Sequence, residues 1–245
     1  MMKIILTHDI DSISKPLIHV IKRAKRFTVT DLLAHILRLK NLYNNLEELV
    51  KLEDKYDFRS TIFVPTTLFP LHSIINELKR ISKEGWEIGL HFVVERGQLK
   101  SLIKIEKEIL EENIGKVKGV RTHMLIINDK LLDEYEKLNF KYDSSLRAEE
   151  ADTYNPFHIR NNLIEIPIGL MDADLFGRLK LREEDAWNYI TRKIEKAEKQ
   201  GAKYFTILFH QESLRMKGGR LYKKLLKYIY ENSYEAIKCT DALEG

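Results

Sequence analysis

An α/β fold with a parallel sheet is the class this sequence predicts, and three observations predict it. Short apolar runs rich in β-branched residues recur along the chain. Segments with a helical period separate most of them. Polar residues able to carry chemistry stand at the C-terminal ends of the runs. Parallel strands need crossover connections, usually helices, whereas antiparallel neighbours can be joined by tight turns. A chain of 245 residues is long enough to close such units into a (β/α) barrel.

The first run, Lys3–Thr7, reads as a strand covered on both faces, and it continues into His8-Asp9-Ile10-Asp11. Side chains alternate along a strand, so Asp9 and Asp11 project to one side. Two carboxylates so placed repel; one holds a proton, or a cation sits between them. Two solvated loop acids would be the plainer reading.

The segment Ser12–Asn45 breaks the rhythm. It carries Lys15, Lys22, Arg23, Lys25, Arg26, Arg38 and Lys40 against one acid, Asp31. Two amphipathic stretches fit it, Leu17–Phe27 and Leu32–Leu42, with Thr30 as the N-cap of the second. It reads either as a solvated helical insertion or as a basic lid suited to an anionic or lipid-linked substrate.

Beyond it, helical segments alternate with strand-like runs. Leu46–Tyr56 places Leu46, Leu49, Val50 and Leu52 on one face and leads to the run Ser60–Pro65. Leu71–Glu84 precedes Trp86–His91, and Leu99–Asn113 precedes Gly119–Leu125. Asp129–Lys137 then precedes Lys141–Ser144 and Leu163–Ile168. Arg182–Lys199 precedes Lys203–His210, and Gly219–Tyr230 precedes a weaker run, Ala236–Cys239. No Pro- or Gly-rich linker divides the chain, so one domain over residues 1–245 is expected, with the insertion at about residues 12–45.

Composition excludes several classes. Hydrophobic content of 44% with 32% charged residues excludes disorder. A net charge of +4 does not mark a nucleic-acid binder. One cysteine, Cys239, excludes an intrachain disulfide and a cysteine-rich metal site. The sequence shows neither a signal-peptide pattern nor a membrane span, and the expectation is a soluble, cytoplasmic protein.

The strand ends assemble a candidate site: Asp9 and Asp11, His91 with Glu95 four residues on, Arg121 and His123, Asp143, and His210. The C-terminal rim of a (β/α) barrel is where active sites form. His19, His35, His72 and His158 lack this context and read as structural or surface residues. Carboxylates with histidines suit a divalent ion such as zinc that leaves positions open for water. The ion lowers the pKa of bound water; a free carboxylate accepts its proton, and a histidine protonates a leaving amine. That set suits hydrolysis of an amide or ester. No G-x-S-x-G elbow and no Gly-rich phosphate loop is present.

At these residues the chain resembles the polysaccharide deacetylase family, carbohydrate esterase family 4 with its NodB-homology domain. The family's T-F-D-D-G strand end is matched by Thr7-His8-Asp9-Ile10-Asp11, and its A-T-F-F strand by Ser60-Thr61-Ile62-Phe63-Val64. Its H-x-x-x-H metal motif is matched by His91 followed by Glu95, and its R-x-P motif by Arg121-Thr122-His123. G-F-x-Y-D-S-S is echoed by Asn139-Phe140-Lys141-Tyr142-Asp143-Ser144-Ser145, and a late strand ending in L-H by Leu208-Phe209-His210. A divergent subgroup beginning T-H-D-[VI]-D is nearer still, with Gly89-Leu90-His91, Glu165-Ile166-Pro167 and Met171-Asp172-Ala173-Asp174-Leu175.

The resemblance implies a distorted (β/α)7 TIM-like barrel. It implies Asp9 as general base, His210 as general acid and Arg121 as the group that orients Asp9. Asp11, His91 and Glu95 would hold a divalent metal, zinc first, with Mn, Co or Ni as alternatives. His123, Asp143 and Pro167 would meet the substrate, although His123 equally suits the metal. In the main family the two aspartates are adjacent; here Ile10 separates them, and Glu95 stands where the second metal histidine would be. The expected reaction is removal of an N-acetyl group from an amino sugar in a glycan or glycan precursor. The alternatives are an amidohydrolase of the same fold acting on a small cyclic ureide or imide, and a non-catalytic carbohydrate-binding protein. Oligomeric state is not predicted.

Overall fold

The computed structural model describes residues 1–94 and 99–243. Strand β1 (Lys3–Asp9) leads into the insertion, which holds α1 (Leu17–Lys22) and α2 (Val29–Ile36). Then follow α3 (Leu46–Asp54), β2 (Thr61–Val64), α4 (Ile75–Lys83), β3 (Glu87–Phe92), α5 (Leu99–Ile114), β4 (Gly119–Thr122), α6 (Asp129–Lys137) and β5 (Tyr142–Asp143). The second half contains α7 (Ala148–Ala151), β6 (Phe157–His158), β7 (Ile164–Glu165), β8 (Ile168–Met171), α8 (Glu183–Lys199), β9 (Tyr204–Leu208), α9 (Lys217–Glu231) and β10 (Ala236–Ile237).

The sheet runs β6-β7-β5-β4-β3-β2-β1-β9-β8, and every pairing except β6–β7 is parallel. A parallel bridge between Arg147 and Ile168 joins the segment after β5 to β8. Strands β1–β5, β8 and β9 thus curve into a seven-stranded α/β barrel with a narrow seam, as the fold class requires. Strand β10 pairs only with Ile4 and Ile5, at the N-terminal end of β1.

The alternation of β1 separates two environments. Ile4 and Leu6 belong to the large core between sheet and helices, with Ile62, Val64, Ile88 and Leu90. Ile5 faces the barrel interior with Phe63, Tyr142, Ile166, Ile237 and Cys239. Each such fully buried aliphatic or aromatic side chain contributes roughly 1.5–3 kcal/mol. Gly89 is required where β3 passes Phe63, because a Cβ there would lie 2.7 Å from the Phe63 ring.

His8, on the outward face of β1, anchors the strand to the helices. Its Nδ1 lies 2.7 Å from the Phe209 carbonyl and its Nε2 2.8 Å from Glu53 Oε1. Glu53, at the end of α3, is fully buried and also accepts from Ser60 Oγ, Trp86 Nε1 and Tyr222 OH. A buried carboxylate is tolerated only when its lone pairs are so occupied.

Several boundaries differ from the expected ones. Helix α2 begins at Val29, capped by Thr28 rather than Thr30; Thr28 Oγ1 accepts from Asp31 N at 3.1 Å. The run Gly119–Leu125 is a strand only to Thr122, after which Met124 and Leu125 adopt positive φ values of 62° and 55°. The run Leu163–Ile168 splits at Pro167 into β7, which pairs with β5, and β8, which pairs with β9. Proline has no N–H to donate to a ladder, so the chain changes partner there.

Candidate active site

The site lies at the C-terminal ends of β1, β3, β4, β8 and β9. Thr7 and Asp9 point inward from β1, where Arg121 of β4 reaches both: Nη1 donates to Thr7 Oγ1 at 3.0 Å and to Asp9 Oδ1 at 2.9 Å. Arg121 Nε donates to the Ser144 carbonyl and Nη2 to Ser144 Oγ, both at 2.7 Å. The guanidinium lies 4.2 Å over the Phe63 ring. It is wholly buried, and its planar fork has no freedom left. Asp9 is therefore held in one orientation, with its Oδ2 turned to His91 Nε2 at 3.9 Å.

Above this pair three donor atoms converge. Asp11 Oδ1 lies 3.1 Å from His91 Nε2 and 3.4 Å from His123 Nδ1, and the two ring nitrogens are 3.1 Å apart. One ligand atom from each residue falls within 4.8 Å of the others. Asp11 Oδ1 is buried without an aligned hydrogen-bond donor, while His91 Nε2 and His123 Nδ1 lie within hydrogen-bond distance of each other. Burial opposes the charge of Asp11, yet the His123 and His91 imidazoles hold its carboxyl well below the usual carboxylate range. One carboxylate and two imidazoles with open positions are the donor set of a catalytic zinc or similar divalent ion. His123 stands in this cluster because β4 ends at Thr122 and the left-handed turn at Met124 and Leu125 follows at once. Glu95, the expected third ligand, lies outside the described residues.

His210, just beyond β9, closes the opposite side. Its Nε2 is 3.6 Å from Asp11 Oδ2, while its Nδ1 donates to Asp172 Oδ1 at 2.6 Å. Asp172 Oδ2 accepts from Ser213 Oγ at 2.7 Å and from the His210 backbone N–H at 3.2 Å. Burial works against the imidazolium, but Asp172, then Asp9 and Asp11, raise His210 to about 10. The ring thus carries its proton at neutral pH, with Nδ1 committed to Asp172 and Nε2 facing the cluster.

Two expected substrate residues sit elsewhere. Asp143 is wholly buried in β5, where it accepts from Ser145 Oγ at 2.6 Å, and Glu165 of β7 is buried likewise. Burial pushes both carboxyls up, and the neighbouring Asp143 charge adds to the shift of Glu165. Pro167 is buried at the turn between β7 and β8. Neither residue lines the cavity described next. Sequence reasoning gives Asp172 no role beyond its place in a motif; its signal is an acid directly after the apolar Ile168-Gly169-Leu170-Met171.

A cavity of about 570 Å³ opens beside His210 and Asp11. Phe176 and Leu181 supply apolar wall; Lys25 and Arg26 of the insertion, with Lys180 and Lys217, supply positive charge. Glu212 also lines it, and burial, then the Asp11 charge, raise its carboxyl to about 7.

A family model described as WbmS-like polysaccharide deacetylase matches residues 44–210. No curated protein matches the chain. Among solved structures, a protein of Mycobacterium smegmatis described as a polysaccharide deacetylase is 17% identical, with a TM-score of 0.72 over 99% of this chain and 88% of its own. PuuE allantoinase is 15% identical, with a TM-score of 0.71 over 99% of this chain and 89% of its own. A protein of Bordetella bronchiseptica described as a polysaccharide deacetylase involved in O-antigen biosynthesis is 15% identical, with a TM-score of 0.54 over 98% and 82%. At such identities the likeness is one of fold.

Proposed function

Because the chain belongs to the WbmS-like polysaccharide deacetylase family, we propose that it is a metal-dependent hydrolase of C–N amide bonds that removes an N-acetyl group from an amino sugar in a glycan or glycan precursor. The observation that carries this reading is the convergence of Asp11, His91 and His123 between Asp9–Arg121 on one side and His210–Asp172 on the other.

Asp11, His91 and His123 would hold a divalent ion, zinc by donor chemistry, which supplies an acidified water and a polarised carbonyl when bound. Asp9 accepts the proton of the attacking water, and Arg121 keeps its Oδ2 turned to the cluster by binding Oδ1. His210 delivers a proton from Nε2 to the leaving amine nitrogen, because Asp172 retains Nδ1–H and fixes the ring. The cavity has the size of a small-ligand site, and its lysines and arginine favour an anionic group on the substrate.

The test begins with metal. Protein loaded with zinc and dialysed should hold one ion per chain, and both His91→Ala and His123→Ala should lose it. Stoichiometric metal in His123→Ala would return the third ligand to Glu95 or another residue. With metal in place, acetate release from N-acetylated amino sugars should stop on chelation. Asp9→Asn should keep the ion and lose hydrolysis; full activity in that variant would remove Asp9 as base. Turnover of cyclic ureides but not of acetamides would move the assignment to the small-molecule reaction. Metal without turnover on either class would leave a binding protein.

A further inference from the structure

Eight of the sixteen exposed large apolar side chains among the described residues fall between Leu17 and Leu39. They are not scattered. Val29, Leu33, Ile36 and Leu37 follow the i, i+4, i+7, i+8 spacing of one helical stripe, and each is more than half exposed. Helix α2 buries none of its residues. On α1, Leu17, Ile18 and Ile21 are exposed to the same degree. The opposite side of the insertion has its own small core of Val20, Phe27, Leu42 and Tyr43, with Leu32 and Met216 packed on it. The apolar stripe is thus what remains outside after the insertion has folded.

Cations flank α2 along the chain, before and after it. Lys22, Arg23, Lys25, Arg26 and Arg38 are exposed, and the one acid of the segment, Asp31, is bound by Lys40. The positive field is felt locally: desolvation, then Arg23, Lys15, Arg26 and Lys22, hold His19 below the usual histidine range. A helix with apolar residues on one side and Lys/Arg beside them is suited to the interface of an anionic bilayer. A second copy of this chain fits less well, since a two-fold contact through this face would set the cation cluster against itself. Lys25 and Arg26 also line the cavity, so the insertion that carries the stripe forms part of the cavity wall.

We propose that α1 and α2 form a monotopic docking surface for an anionic lipid bilayer, which brings the cavity to the membrane interface. The docking is read from the insertion alone and does not rest on the hydrolase assignment; vesicle binding without amide hydrolysis would keep the one and discard the other.

The test is co-sedimentation of the full chain with vesicles of phosphatidylcholine and of an equal mixture of phosphatidylcholine and phosphatidylglycerol. Wild type should bind the mixed vesicles, bind neutral ones weakly, and be released by salt. The triple variant Val29→Ser/Leu33→Ser/Ile36→Ser should lose about tenfold or more of this affinity. Because α2 contributes no buried residue, its circular dichroism and melting should match wild type. Lys22→Gln/Arg23→Gln should independently weaken binding to mixed vesicles. Wild type left in the supernatant, equal binding to neutral vesicles, or binding untouched by both variants would each overturn the proposal. Self-association without lipid that the triple variant abolishes, with no vesicle binding, would assign the stripe to a second copy instead.

Discussion

His210 and Asp172 show how one half-buried pair sets a proton's position. The carboxylate 2.6 Å from Nδ1 raises the imidazole to about 10, against an ordinary value of 6.5. The folded pKa lies above the unfolded one, so the pair's stabilisation is fully present below about 6.5 and is lost as pH rises towards 10. In the metal-free protein, the urea midpoint should therefore fall across that window, and Asp172→Asn should flatten the fall. Equal slopes in the two proteins would mean that Asp172 does not hold the proton. Residues of this kind differ in how visibly they stand in the sequence. Asp9, Asp11, His91, Arg121 and His210 are legible because each ends an apolar run, and a strand end turns its last inward side chain to the rim. His123 stood between two roles, since only the turn at Met124 and Leu125 brings its Nδ1 to Asp11. Glu53 is not legible: on a charged helix it looks solvated, and three of its four donor groups come from distant segments.

Elements, more than single residues, explain where the sequence reading stops. Strands β1, β2, β3, β4 and β9 follow from apolar runs, whereas β7 and β8 read as one strand because the apolar run continues across Pro167 from Ile166 to Ile168. Pro167 breaks the ladder at the seam of the barrel, with β5 on one side and β9 on the other. The same logic explains β1, whose outward face is fastened by His8 to Glu53 on α3 and Tyr222 on α9. Glu53→Ala removes the carboxylate that four buried donors share and should cost about 3–5 kcal/mol. Urea unfolding measures this; a loss under about 1 kcal/mol, the size of a surface pair, would mean that the network does not anchor the strand.

For the whole molecule, the main architectural question is how an insertion and a barrel jointly make one cavity. Lys25 and Arg26 come from the insertion, Lys180 from the segment before α8, and Lys217 from the start of α9. Replacing all four with glutamine should raise KM for an anionic substrate and leave kcat nearly unchanged, because none touches Asp9 or the three converging donors. An unchanged KM would separate the cations from recognition. The barrel interior carries a different joint requirement. Arg121 belongs to β4, yet it is held by Thr7 and Asp9 of β1, by Phe63 of β2 and by Ser144 beyond β5. Asp9, the base in the proposed mechanism, is consequently oriented only once segments from Thr7 to Ser144 have met, and such long-range pairings form slowly. Enzymatic turnover is therefore a clock for assembly: on dilution from denaturant, hydrolysis should return with the slowest refolding phase, and no earlier collapsed species should carry a fraction of it.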